Sequence, residues 1–469
     1  MPTLFFSSDC GFFCSCKQFY KAFPIIPWLV NAALQAVLPV LPGVVKSAIT
    51  CRIEACFTLK GQPYLDHAKF MSREKTMKKI AMAVVASSML AAPAMAADVK
   101  IGVLLGFTGP IESLAPNMAT AAEMAMKEAS DSGNFMGGAK AVSVRADSTC
   151  VDAAAATAAA ERMVTSDGVA AIMGADCSGV TTAVLQNVGT AKGIVMISPS
   201  ATSPALSDIP DDGLFFRTAP SDARGGQVMA EVLMGRGIKS IALTYTNNDY
   251  GKGLADSIQG SYEALGGKVT VVASHEDDKG DYSAEVAALA QGGSEHLVIV
   301  GYLDRGGKGI MQASLDSGAF ENFAMSDGMI GPSLPEAIGA DLNGSWGLLP
   351  GGESEGYTIF EKMAADAGFE ATPYSAESYD SAALIMLAMQ AAGSTSSADF
   401  AGKVMDVANA PGEKIYPGEL AKALKILADG GDVDYVGASA VELIGQGESA
   451  GSYREILVDG AKNTTVGYR

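Results

Sequence analysis

The chain has 469 residues, of which 48% are hydrophobic, 18% charged and 7% aromatic. This is too apolar for a disordered chain and too mixed for a multi-span membrane protein, and the length exceeds what one core supports, so two domains are expected. With 33 Lys and Arg against 52 Asp and Glu, a net charge of −19, and three His, the chain lacks the clustered cations that grip phosphate and has little material for His-based catalysis or zinc.

The first 96 residues stand apart. Lys75, Lys78 and Lys79 precede an apolar run, Ile80 to Leu90, which ends in Ala91-Ala-Pro-Ala-Met-Ala96. A basic start, a short apolar core and small residues at Ala94 and Ala96 form a secretory signal over 77–96, with cleavage expected before Ala97. No Cys follows that point, so a lipid anchor is not indicated. Residues 1–76 read as translated upstream sequence or a non-native start. The rival reading, a membrane segment over Phe23–Ile49, is interrupted by Pro24, Pro27, Pro39 and Pro42, each costly inside a helix. From Ala97 onward there are 23 basic and 48 acidic residues, and only Cys150 and Cys177 remain of seven Cys. In an oxidising compartment they read as one disulfide, the alternative being two buried thiols.

Beyond Val99, short apolar runs alternate with helical stretches. Strand Val99–Leu105 is followed by helix Met118–Ser130, strand Val142–Ala146 and a helix capped by Asp152 that runs to Val164. Strand Ala170–Met173, helix Val180–Ala191, strand Ile194–Ile197, helix Asp222–Gly235 and strand Ser240–Tyr245 come next. Helix Gly251–Leu265, strand Lys268–Ala273, helix Tyr282–Ala290, strand His296–Val300 and helix Gly307–Ser317 continue the pattern. Such alternation predicts α/β architecture with parallel sheets covered on both faces. Ligands of these folds bind outside the carboxyl ends of strands, here segments rich in Ser, Thr, Asn, Asp, Tyr and Gly.

No catalytic set emerges. Gly352-Glu-Ser354-Glu-Gly356 and Gly447-Glu-Ser449-Ala-Gly451 match nucleophile-elbow spacing, but the last His, His296, precedes both, against the hydrolase order. Gly301–Gly309 lacks the Ser or Thr of a phosphate loop. Asp277, Asp278 and Asp281 lack the glycine position of an EF-hand and read as a solvated turn. His275 and His296 sit alone beside strands and read as structural. The chain is not expected to be an enzyme, and no cofactor or metal is implied.

Several landmarks occur in order: Lys100-Ile-Gly-Val103, Thr108-Gly-Pro110, Cys150, Cys177-Ser178, Ile197-Ser-Pro-Ser-Ala-Thr202, Phe216-Arg-Thr218, Asp249-Tyr-Gly251 and Gly301-Tyr302. With the export signal and the α/β alternation, residues 97–469 resemble the substrate-binding proteins of ABC importers in the leucine/isoleucine/valine-binding group. That resemblance implies a type I two-lobe fold, two doubly wound parallel-sheet lobes joined by a three-strand hinge. Lobe 1 would comprise 97–220 with 351–437, and lobe 2 would comprise 221–350 with 438–469. Cys150 and Cys177 match the family's disulfide pair.

The resemblance also implies a site. The ligand carboxylate falls to the hydroxyls of Ser178 and Thr202 and to main-chain groups of Ser200 and Ala201. Ser178 opens a helix, where free N–H groups and the dipole favour an anion, although plain capping would place a Ser there as well. Asp327 matches the acidic partner of the ligand ammonium, one methylene shorter than the usual Glu. Tyr250 and Tyr302 match aromatics that close over the ligand, with core packing as the alternative. Asp222 lies near the hinge and could serve only as a helix cap. Leu114 stands where the family often has an aromatic residue, and Tyr374 matches a pocket wall. The expected function is periplasmic capture of a small, aliphatic amino acid by a monomer and its delivery to an inner-membrane ABC permease. Relatives specialised for amides, urea or aromatic acids, and a solute sensor for a receptor, are the alternatives. No nucleic-acid partner is expected.

Overall fold

The computed structural model describes residues 97–469. The expected signal at 77–96 and the extension at 1–76 lie outside the described residues. Val99–Leu105 (β1), Ala141–Asp147 (β2), Ala171–Gly174 (β3), Met196–Ser198 (β4) and Phe215–Pro220 (β5) run parallel in the order β2-β1-β3-β4-β5. Ser240–Thr246 (β6), Lys268–His275 (β7), His296–Val300 (β8), Asn322–Met325 (β9) and Trp346–Pro350 (β10) repeat it as β7-β6-β8-β9-β10. Helices cover both faces, so the central strands are apolar along nearly their whole length, as in the Ile101–Leu105 run of β1. Each order reverses beside its first strand, and that reversal is where doubly wound sheets open a crevice.

Four short or antiparallel strands complete the two sheets. Glu413–Ile415 (β11) and Val433–Tyr435 (β12) form a separate parallel pair. Leu443–Ile444 (β13) and Glu448–Ser449 (β14) extend the first sheet through β5. Tyr453–Asp459 (β15) and Lys462–Tyr468 (β16) extend the second through β10. The chain therefore passes between lobes after Pro220, after Pro350 and between Ser449 and Tyr453. The third crossing comes later than the expected 437, because β13 and β14 belong to the first sheet.

Local chemistry sets the helix starts. Asp152 accepts from the Ala154 and Ala155 N–H groups and caps Ala153–Arg162. Asn248 accepts from Gly251 N, which starts Asp249–Ala264 before the expected Gly251. Ser354, considered above as a nucleophile, accepts from Tyr357 N and caps Glu355–Asp366. The helix Ser375–Ala392 is buried on nearly every face and packs along Ala115–Asp131. No helix among the described residues is long and apolar enough to cross a membrane.

Cys150 and Cys177 form a disulfide across a sequence separation of 27, tying the turn after β2 to the turn after β3. Closing a loop of this size stabilises by ~3–4 kcal/mol in the chain-entropy model. The double variant Cys150→Ser/Cys177→Ser is expected to lose about that much in urea unfolding. An unchanged midpoint would show that the crosslink does not restrict the unfolded chain.

Candidate functional site

The two crevices face each other across the crossings. From the first lobe come Leu114 beyond β1, Asp176 and Ser178 beyond β3, and Ser200 beyond β4, with Tyr374 at the start of Ser375–Ala392. From the second come Tyr250 beyond β6, Tyr302 beyond β8 and Asp327 beyond β9. All eight line one cavity. Its volume is about 20 Å³, room for about one water, so a larger solute enters only when the lobes separate. Closure is fastened at the rim. Asp304 N donates to Pro110 O (3.1 Å), Ser113 N to Asp304 Oδ2 (3.0 Å) and Ser203 Oγ to Asp249 O (3.1 Å).

Asp327, 6% exposed, is the centre of the second lobe's contribution. Tyr250 donates its phenol to Oδ1 at 2.6 Å, and Tyr374 reaches across from the first lobe to donate to Oδ2. The Tyr250 oxygen accepts from Gly328 N at 3.2 Å, and its ring stacks on Tyr302 at 5.3 Å between centroids. Tyr374 holds φ 64°, a left-handed conformation uncommon for a bulky residue and typical of a functional position.

Asp222 lies on the other side of Asp327. It is not the cap of its helix, since Ser221 fills that place by accepting from Ala223 N. Asp222 N donates to Thr202 O at 2.9 Å, which brings the two residues together. No hydrogen bond of regular geometry reaches Asp222 Oδ2 or Thr202 Oγ1, both buried, although the Thr202 side chain lies close enough to lower the Asp222 carboxyl. A second cavity of about 20 Å³ has Asp222, Ser326 and Asp327 in its wall. No Lys, Arg or His lines either cavity. Burial pushes the Asp222 carboxyl well above the usual carboxylate range, and the Asp327 charge pushes it further. Burial also raises Asp327, against the pull of the two phenols. No cationic side chain lines either cavity, and the charge of Arg217, buried behind Thr202, offsets only part of the burial cost of Asp222.

Ser178 and Ser200 form the hydroxyl end of the first cavity, and Thr202, which lines neither cavity, lies behind them beside Asp222. Ser178 Oγ accepts from Ser203 N at 3.1 Å, which leaves its proton to donate elsewhere. Ser200 Oγ donates to Asp176 O at 2.9 Å. The expected main-chain contacts from Ser200 and Ala201 are not formed as free donors. Both N–H groups turn onto Ser198 Oγ, at 3.4 and 2.9 Å, because that hydroxyl sits at the end of β4 beneath the turn. Leu114 packs against the backbone at Gly331, where an added Cβ would lie 3.1 Å from its Cδ2.

Asp176 escaped the sequence reading as a site residue. Its Oδ2 accepts from Gly106 N at 2.5 Å, and its Oδ1 accepts from Ser148 Oγ (2.7 Å) and Cys177 N (3.0 Å). Three donors engage both oxygens of this carboxylate, joining the ends of β1, β2 and β3 beside Ser178, although burial still raises its pKa. The only sequence signal was an acidic residue beside Cys177-Ser178. His275 is buried, bonded to Thr244 Oγ1 through Nδ1 at 2.9 Å, and burial lowers its pKa to about 4. Neither His275 nor His296 lines the cleft.

A family model described as periplasmic binding protein matches residues 98–416. Among curated proteins, a Leu/Ile/Val-binding protein homolog from Brucella melitensis is 30% identical over 304 residues, 64% of this chain and 80% of that protein. Among solved structures, the leucine-binding protein LivK from Thermotoga maritima superposes with TM-score 0.67 at 20% identity, covering 79% of this chain and 98% of its own. An ABC transporter solute-binding protein from R. palustris in complex with benzoate superposes with TM-score 0.62 at 16% identity, covering 79% and 96%.

The unpaired carboxylate has a stability consequence. A carboxyl raised in the folded state binds more protons than the unfolded chain does, so it costs stability as pH rises from the unfolded value through the folded one. Replacing Asp222 by Asn removes that cost. The Asp222→Asn variant is therefore expected to melt a few degrees above the parent at pH 8 in the ligand-free state, with the gap closing near pH 4. A lower midpoint at pH 8 would contradict the reading of Asp222 as a charge only partly compensated by its surroundings.

Proposed function

The chain belongs to the periplasmic binding protein family, and from that premise we propose that it captures an aliphatic α-amino acid between its lobes for an ABC-type permease. One observation carries the choice of ligand: Asp176 and Asp327 line one cavity, Asp222 and Asp327 line the adjoining one, and no cationic side chain lines either. An ammonium group supplies the missing charge. The carboxylate falls to the hydroxyls of Ser178 and Thr202, since Ser200 Oγ already gives its proton to Asp176 O. Leu114, Tyr302 and the ring of Tyr250 leave an apolar space for the side chain. The names of the Brucella and Thermotoga proteins, which specify Leu/Ile/Val and leucine, agree with this assignment.

The ligand would act as the bridge that favours closure. Its carboxylate sits on the first lobe, and its ammonium sits on Asp222 and Asp327 of the second. Contacts to both lobes exist only in the closed form, so binding shifts the population toward it. The rotating bodies are residues 97–220 with 351–449 and residues 221–350 with 450–469, hinged at the three crossings. The closed monomer is the form delivered to the permease, in the periplasm if 77–96 is the export signal.

Thermal unfolding of ligand-stripped protein tests this reading against a panel of leucine, isoleucine, valine, polar amino acids, amides, urea, benzoate and 4-methylpentanoate. At 100 times its dissociation constant a ligand stabilises by about 2.7 kcal/mol, a shift of a few degrees. Leucine, isoleucine or valine is expected to shift the midpoint, while 4-methylpentanoate, which lacks the amine, does not. A shift from benzoate or an amide with none from the amino acids would overturn the ligand assignment and leave the fold standing. Asp327→Asn removes a charge-assisted bond of about 1.5–3 kcal/mol, so leucine affinity is expected to fall by roughly 10- to 100-fold.

A further inference from the structure

Arg217 is a cation buried to 1% exposure in the first lobe, outside the walls of both cleft cavities. Its Nη1 donates to Ala201 O at 3.1 Å and to Ser203 O at 2.9 Å, the two carbonyls that flank Thr202. Its Nη2 donates to Ser207 Oγ at 2.7 Å and to Glu448 Oε2 at 2.5 Å. Glu448 also accepts from Ser207 Oγ at 2.6 Å. The backbone repeats the link, since Arg217 N donates to Gly447 O at 2.9 Å. Glu448 stands on β14, directly ahead of the third crossing.

We propose that the Arg217–Glu448 pair is a positioning clamp for the ligand-binding turn, fixing Thr202 beside Asp222 and tying that turn to the third hinge segment. This rests on the amino-acid-binding reading above. The geometry is specific to a planar fork. One nitrogen spans two carbonyls two residues apart, which fixes the peptide between them, and the other nitrogen is anchored by a carboxylate. A Lys could supply the charge but not both directions. With Glu448 removed, Arg217 keeps its charge but loses the anchor that aims Nη1 at the turn. Thr202 is then free to drift from Asp222, to which its carbonyl is hydrogen-bonded.

Two measurements test the clamp. The first is a double-mutant cycle on L-leucine affinity with Glu448→Gln and Thr202→Val. If Glu448 acts through Thr202, Glu448→Gln weakens binding about tenfold in the parent and less than about twofold in the Thr202→Val background. Equal losses in both backgrounds, or unchanged affinity in the parent, would overturn the proposal. A general loss of packing would give the additive result. The second needs no ligand: amide exchange at Asp222, whose N–H is held by Thr202 O, is expected to speed up about tenfold in Glu448→Gln while Ile101–Leu104 of β1 is unchanged. Unchanged exchange at Asp222 would reject the clamp even in a protein that binds no leucine. A parent without leucine binding but with accelerated exchange would reject the ligand assignment and keep the clamp.

Discussion

Asp222 and Asp327, buried beside cavities whose walls carry no cation, set the terms for everything around them. Asp222 and Asp327 are 3% and 6% exposed, and each would rather be solvated or neutral. The fold answers in part, with the phenols of Tyr250 and Tyr374 donating to Asp327. It leaves Asp222 Oδ2 unanswered. A natural protein tolerates such a cost where a ligand removes it. Instability of the ligand-free site and affinity for an ammonium are thus two readings of one arrangement.

The lobes make this arrangement possible because each is the same doubly wound design. Each sheet reverses its order beside its first strand, and each reversal opens toward the other. A hydroxyl-rich wall from one lobe therefore meets an acidic wall from the other, and an amphoteric solute can touch both. Asp176 shows how context separates like residues. Three donors engage both its oxygens, so it braces strand ends, while Asp222 Oδ2 has no hydrogen bond of regular geometry.

Much of the fold was legible because parallel strands covered on both faces leave near-continuous apolar runs, as at Val99–Leu105 and His296–Val300. The helix Asp222–Gly235 matched its expected bounds because Ser221 is a strong cap. The third crossing was not legible. Leu443–Ile444 and Glu448–Ser449 are two-residue strands, too short for any periodicity and held by pairing that only the folded sheet supplies. Ser375–Ala392 was missed for the opposite reason. It is buried nearly all round, so it has no polar face to mark a 3.6-residue period. Within the site, residue types and their neighbourhood were readable from the ordered landmarks. What could not be read was competition for hydrogen bonds: Ser198 capturing the N–H groups of Ser200 and Ala201, or Tyr374 reaching across to Asp327.

The central claim, that a ligand ammonium satisfies buried carboxyls raised by desolvation, predicts a proton count. Carboxyls raised in the ligand-free cleft hold protons at a higher pH than free carboxylates do, and ammonium binding favours their ionised form. Titration calorimetry with L-leucine in two buffers of different ionisation enthalpy measures that exchange directly. The account predicts net proton release on binding in the acidic range, declining as pH rises. Proton uptake, or binding with no exchange across that range, would contradict it.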